Sequence, residues 1–150
     1  GMPWGVLVLF GGGLSLAAVI TSSGLSSWIA GSFSGIGVLP ALLMVGVVVA
    51  SINLLTEVTS NTATAATFLP LMGAVAVSMG ISPLLLAIPT ALAASCAFMM
   101  PVATPPNAIV FASGHLRISQ MIRNGFAITA FSIVTITLMG YFLIGLVFTL

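Results

Sequence analysis

The chain has 150 residues, of which 60% are hydrophobic and only 2% are charged, and its mean hydropathy is +1.36. Soluble globular domains carry about 25% charged residues, so this composition excludes that class and predicts an integral membrane protein. One glutamate, two arginines and one histidine cannot form a basic patch for nucleic acid or a hydrolytic active site. We therefore expect no nucleic-acid binding, no enzyme activity and no organic cofactor.

Residues 1–20 are apolar apart from one serine and a glycine triplet, and they predict a spanning helix. At 1.5 Å per residue, about twenty residues cross roughly 30 Å of hydrocarbon. Residues 21–36 are instead rich in serine and glycine, with large apolar side chains three and four residues apart. This second segment predicts a short amphipathic helix that lies in the membrane interface.

The stretch from Thr56 to Thr64 holds six hydroxyl or amide side chains and the only carboxylate of the chain, Glu57. Polar groups are costly in lipid, so this density indicates a function beyond helix contacts. Apolar runs flank the stretch, and two arrangements of residues 37–80 are open. They form either two full spans joined by a polar surface loop, or a re-entrant hairpin whose tip at 59–62 lies inside the protein. Hydropathy alone does not choose between them.

Residues 83–113 predict one spanning helix that is interrupted in its middle. Three prolines lie within six residues, at Pro101, Pro105 and Pro106. Each proline removes a backbone donor and disfavours helix in the preceding residue, so we expect a break at 100–106. The two apolar arms together have about the length of one membrane crossing.

Residues 118–150 predict the last spanning helix. The connection before it, residues 113–124, is hydrophilic and carries both arginines. The positive-inside rule therefore places this loop in the cytoplasm and the C-terminus outside, so a hairpin would open outward. His115 has no second histidine or cysteine at ligand spacing and predicts no metal site. Glu57 predicts a buried structural or protonated group that faces away from an anion, because a carboxylate would repel it.

The two polar clusters together predict a site for an anion and a small cation. Ser60, Asn61 and Thr62 offer hydroxyl and amide donors, and a helix that begins near Thr62 adds free N–H groups and the positive end of its dipole. Asparagine and hydroxyl oxygens, with backbone carbonyls released near Thr104, are hard ligands that suit Na⁺. The same side chains could instead only bridge helices, as in a non-transporting scaffold.

Two motifs, residues 56–63 and residues 94–108, resemble the divalent anion:sodium symporter family, the Na⁺-coupled dicarboxylate and citrate carriers. The resemblance implies an all-α polytopic membrane protein of the bacterial inner membrane. It also implies one half of an inverted repeat, with a spanning helix, an interfacial helix, a re-entrant hairpin, a discontinuous helix and a C-terminal spanning helix. Only one Ser-Asn-Thr is present, so we expect a fragment, the C-terminal half, whose N-terminal half completes the site.

The resemblance further implies a homodimer that moves succinate, malate or citrate with Na⁺ by an elevator motion of the transport domain. The alternatives are another carrier of the wider ion-transporter group, for sulfate, arsenite, metal-citrate or Na⁺/H⁺ exchange, or the scaffold. The substrate-binding positions implied by the resemblance are Ser60, Asn61, Thr62, Thr104 and Pro105. The implied Na⁺ positions are Thr56, Thr59, Asn61 and Ala103.

Overall fold

The computed structural model describes residues 41–147 throughout and isolated positions between residues 8 and 28. Most of the predicted spanning helix 1–20 and interfacial helix 21–36 lies outside the described residues. Within 41–147 all regular secondary structure is helical, as the predicted all-α class requires. The five helices are α1 (Ala41–Thr56), α2 (Asn61–Ser78), α3 (Pro83–Ala94), α4 (Pro105–Ala112) and α5 (Ile118–Val147).

The polar stretch forms the turn between α1 and α2. The turn occupies residues 57–60, two residues earlier than the predicted tip at 59–62, because Ser60 caps α2 and the helix already begins at Asn61. The Ser60 Oγ accepts a hydrogen bond from the Ala63 N–H at 3.5 Å. The re-entrant arrangement of these two helices stays a prediction.

The non-helical segment between α3 and α4 is longer than the prolines predict. It covers residues 95–104, whereas the predicted break was 100–106. The predicted start at 100 was wrong because backbone groups after Ala94 bond to side chains of other elements. The predicted end at 106 was wrong because Pro105 and Pro106 are the first residues of α4. Proline is well tolerated in the first turn of a helix, where its missing N–H would be unpaired anyway.

Three helices, α1, α3 and α5, pack together, and α2 packs against α3. The shared core is aliphatic, with Val45 and Val49 on α1, Leu86 on α3 and Ile136 on α5 all buried. Burial of such side chains from sequence-distant helices holds the turn and the non-helical segment 95–104 against one another.

The α5 helix has the length and composition of a membrane span. Its segment Ile118–Ile144 is the one helix among the described residues that is long and apolar enough to cross a bilayer by these criteria. Large apolar side chains such as Phe131 and Phe142 are exposed along it. An apolar exposed face is what lipid or a neighbouring apolar helix requires.

Gly140→Ala should destabilise the contact between α3 and α5. A Cβ atom at Gly140 would lie 2.7 Å from the Pro89 Cγ, and the proline ring cannot rotate away. Overpacking of this kind costs about 1–3 kcal/mol, so we expect the melting temperature in detergent to fall by several degrees. Gly73→Ala on α2 is the matched control, because nothing lies within 4 Å of its Cβ position. Equal melting temperatures for the two variants would contradict this packing.

Candidate ion and anion site

The Thr56 hydroxyl lies among more acceptor oxygens than it can satisfy. It is 2.6 Å from the Asn61 Oδ1 and 2.9 Å from the Ala94 carbonyl oxygen, and Thr56 is fully buried. One hydroxyl proton serves one of these oxygens well and leaves the other poorly paired. Three oxygens that share one proton in a buried place are suited to a small hard cation. Two of the predicted Na⁺ residues, Thr56 and Asn61, are thus in direct contact.

The other two predicted Na⁺ residues are placed differently. The Thr59 hydroxyl donates to the Leu55 carbonyl at 2.8 Å and lies 2.7 Å from the Thr64 Oγ1, so its side chain is engaged within the turn. Its contribution to a cation site would therefore come from its backbone carbonyl. Ala103 is buried in the non-helical segment 95–104, where its N–H donates to the Met100 carbonyl at 3.2 Å.

The start of α2 leaves several donors free. Within residues 41–147, the Asn61 Nδ2 and the Thr62 hydroxyl have no hydrogen-bond partner. The Thr64 N–H is the first to reach back to a carbonyl, that of Ser60 at 2.8 Å, so the backbone N–H groups of Asn61 and Thr62 are also unpaired. Free N–H groups at the positive end of a helix dipole suit an anion.

The start of α4 is chemically different. Pro105 and Pro106 have no N–H, and the Asn107 N–H donates to the Thr104 Oγ1 at 3.3 Å. Pro105 can therefore contact a ligand with its ring but cannot donate to it. The Thr104 hydroxyl accepts the capping bond and keeps its own proton available. No hydrogen bond within residues 41–147 joins Thr104 to Ser60, Asn61 or Thr62, and their convergence on one ligand stays a prediction.

Glu57 has hydrogen-bond partners that the sequence did not reveal. It is 3% exposed, and its two carboxylate oxygens accept hydrogen bonds from the backbone N–H groups of Phe98 (2.8 Å), Met99 (2.9 Å) and Met100 (3.0 Å). The Thr129 hydroxyl approaches the Oε1 at 3.4 Å. The prediction of a buried structural group agrees with this position. A lone glutamate in an apolar chain does indicate that donors surround it, because a buried carboxylate requires hydrogen-bond donors. It does not indicate which residues supply them.

Two asparagines bond to the carbonyl groups of the same segment. The Asn107 Nδ2 donates to the carbonyls of Ala97 and Met100, both at 3.0 Å. The Asn53 Nδ2 donates to the Cys96 carbonyl at 2.9 Å. The backbone groups of segment 95–104 thus lack helical hydrogen bonds, and several of them bond instead to side chains on α1, α4 and the turn. Polar backbone away from water requires such partners.

A helical membrane protein with an interrupted helix and an oxygen-rich polar turn has the features of an ion-coupled carrier. The chain matches the family described as "Sodium:sulfate symporter transmembrane region" over residues 1–149, and it belongs to that family. This membership confirms the resemblance predicted from the motifs at 56–63 and 94–108.

Curated relatives carry a more specific name. The "Sodium-dependent dicarboxylate transporter SdcS" of Staphylococcus saprophyticus subsp. saprophyticus is 48% identical over 143 residues, which is 95% of this chain and 28% of the relative. The protein of that name from Staphylococcus aureus is 47% identical over 146 residues, which is 97% of this chain and 28% of the relative. The chain spans 28% of the length of these relatives, whose name is that of a transporter.

Proposed function

We propose that the chain is the C-terminal part of a Na⁺-coupled carrier of dicarboxylates or tricarboxylates such as succinate, malate or citrate. The observation that carries the proposal is the group of three oxygens, from Thr56, Asn61 and Ala94, that share one hydroxyl proton. It supports a cation site, and the free donors at the start of α2 next to it support an anion site. The names of the relatives support Na⁺ and a dicarboxylate as the two ligands.

In this proposal the cation binds first. Thr56, Asn61 and the backbone carbonyls of Thr59 and Ala103 supply oxygens to Na⁺, and the Thr56 proton turns from the Asn61 Oδ1 to the Ala94 carbonyl oxygen as the ion enters. The Asn61 Nδ2 is then left to donate to a carboxylate of the substrate. Because the described site has no lysine or arginine, the charge of Na⁺ is what offsets the charge of the anion.

The substrate positions divide into donors and an apolar contact. The donors are Ser60, Asn61, Thr62 and Thr104, while Pro105 offers only its ring. Around this half site we propose a re-entrant α1–α2 hairpin that opens outward, and a cytoplasmic loop at 113–124. We further propose a homodimer in the bacterial plasma membrane and an elevator motion of the transport domain. The N-terminal part of the same protein supplies the second half of the site.

Sulfate is the second candidate substrate, because the family description names it. Unpaired N–H groups at a helix start suit a sulfate ion as well as a carboxylate. The two substrates differ in shape: a dicarboxylate needs donors at both of its ends, whereas sulfate needs one compact cluster of donors. A transporter built for dicarboxylates should therefore discriminate against sulfate.

Uptake by the full-length protein in proteoliposomes tests the proposal. We expect uptake of radiolabelled succinate to be at least tenfold higher with an inward Na⁺ gradient than with a K⁺ gradient. Without Na⁺ the substrate lacks the charged interaction with the ion, and the loss of one such interaction lowers affinity by about this factor. Unlabelled malate should compete with the labelled substrate. Succinate uptake that ignores Na⁺ would remove the symport claim, and Na⁺-driven sulfate uptake without succinate uptake would replace dicarboxylate by sulfate.

A further inference from the structure

We infer that Glu57 is a positioning residue for the proposed cation site. Its carboxylate holds the backbone of Phe98–Met100 in a non-helical path, and this path fixes the Ala103 carbonyl relative to Thr56. The inference rests on the proposed function, since it assigns a task at that same site. It concerns the geometry of the ion site and places Glu57 outside the set of direct ligands.

The contacts of Glu57 are all of one chemical kind. Three consecutive backbone N–H groups and the Thr129 hydroxyl donate to its two oxygens at 2.8 to 3.4 Å. Four donors and no acceptor are the partners of a carboxylate rather than of a carboxylic acid. Hydrogen bonds to an ionised acceptor are about twice as strong as neutral ones, and a buried carboxylate without them is very costly. The carboxylate and the segment therefore hold each other in place.

The α5 helix holds the same segment from another side. A Cβ atom at Gly125 would lie 2.3 Å from the Phe98 carbonyl oxygen and 2.8 Å from the Met99 Cα. Only glycine permits this approach, because the atoms it meets are backbone atoms that no rotamer change can move. Thr129, one turn further along α5, contacts Glu57 itself. The segment is thus fixed between a carboxylate and a helix backbone, and the second contact does not depend on charge.

The Met100 backbone connects Glu57 to the proposed ion site. Its N–H donates to the Glu57 Oε2 at 3.0 Å, and its carbonyl accepts from the Ala103 N–H at 3.2 Å, which closes a turn over residues 100–103. Movement of Met100 must therefore move the turn that presents the Ala103 carbonyl. On the other side, Glu57 directly follows Thr56 in the chain. One side chain thus sets the distance between two of the proposed sources of Na⁺ ligands.

The test uses the full-length transporter and measures the Na⁺ concentration that gives half-maximal uptake at saturating succinate. Glu57→Gln keeps one acceptor oxygen but turns an NH₂ group toward backbone N–H groups, so we expect this concentration to rise at least tenfold. Glu57→Asp keeps the charge but is one methylene shorter and should give an intermediate shift. Gly125→Ala pushes on Phe98 without changing any charge and should also raise the half-maximal Na⁺ concentration. Gly73→Ala should leave this concentration unchanged.

A second readout separates this inference from the proposed function. Na⁺-induced thermal stabilisation of purified protein reports ion binding without transport, and Glu57→Gln should shift its Na⁺ dependence in parallel. If wild-type protein shows no Na⁺-dependent uptake, the proposed function fails. If wild-type transports and a folded Glu57→Gln or Gly125→Ala variant keeps the wild-type Na⁺ dependence, the positioning role fails alone. Failure of both variants to fold would also overturn it, because Glu57 and Gly125 would then serve the fold and not the ion site.

Discussion

Asn61→Ala is expected to abolish Na⁺-dependent uptake by the full-length transporter while leaving it folded. The substitution removes the Oδ1 that lies 2.6 Å from the Thr56 hydroxyl, which is a proposed cation ligand, and the unpaired Nδ2, which is a proposed anion donor. Each loss should cost about tenfold or more, and the two act on the same transport step, so we expect uptake to fall at least a hundredfold. Thr104→Ala should lower uptake too, because it removes the Thr104 hydroxyl, the proposed substrate donor at the start of α4.

Asn124→Ala is the matched control for Asn61→Ala. Asn124 is exposed near the start of α5 and belongs to neither polar cluster. Its truncation makes the same chemical change away from the site, and wild-type uptake is expected. Size-exclusion profiles in detergent establish that each variant is folded. Normal transport by folded Asn61→Ala would refute the assignment of the α1–α2 turn as the binding site.

Asn107→Asp, an isosteric change in the first turn of α4, should disrupt the non-helical segment 95–104. The Asn107 Nδ2 donates to two carbonyl oxygens, those of Ala97 and Met100. A carboxylate oxygen in its place would face both carbonyls without a proton, which leaves three acceptors together. Breaking two hydrogen bonds and adding a poorly paired charge should cost about 3 kcal/mol or more. We expect the melting temperature to fall by several degrees and Na⁺-dependent uptake to be lost.

The surface change Asn124→Asp adds the same charge without these contacts and should behave like wild type. Thermal unfolding in detergent measures the stability of both variants, and proteoliposome uptake measures their activity. A wild-type melting temperature for Asn107→Asp would mean that its amide does not hold the segment. The role of Asn107 as the partner of these two carbonyls would then be wrong.

The sequence predicts the helical arms but not the positions where they stop. Apolar runs on both sides of residues 56–64 indicate α1 and α2, and the length of α5 follows from the run after the arginines. The end of α3 at Ala94 has no local signal, because Glu57 and Asn53 replace the helical bonds of residues 96–100 from about forty positions away in the chain. The prolines give an ambiguous signal, since the same residue can end a helix or occupy its first turn.

The candidate site was predictable in its residue types and less so in its connections. A dense group of hydroxyls and amides indicates a polar site, and the start of α2 supplies the expected free donors. The contact between Thr56 and Asn61 depends on the turn bringing residues five positions apart together. The Ala94 carbonyl could not be predicted as a third oxygen, because a carbonyl at a helix end is marked by backbone geometry and not by residue type. The close contact of Gly125 with the backbone of Phe98 and Met99 could not be predicted either, because the sequence does not distinguish one helical glycine from another.

The partners of segment 95–104 also decide how this protein can change over evolution. Asn53 and Asn107 bond to C=O groups, which every residue offers, and Glu57 bonds to N–H groups, which every residue except proline offers. A change of side chain at 98–100 to any residue except proline therefore leaves these bonds in place, whereas Ala97 is buried and is also limited by packing. The three polar residues and Gly125 have no such freedom. In a relative that loses the acid at the position of Glu57, a proline at one of the three positions would remove one of the donors that are left unpaired.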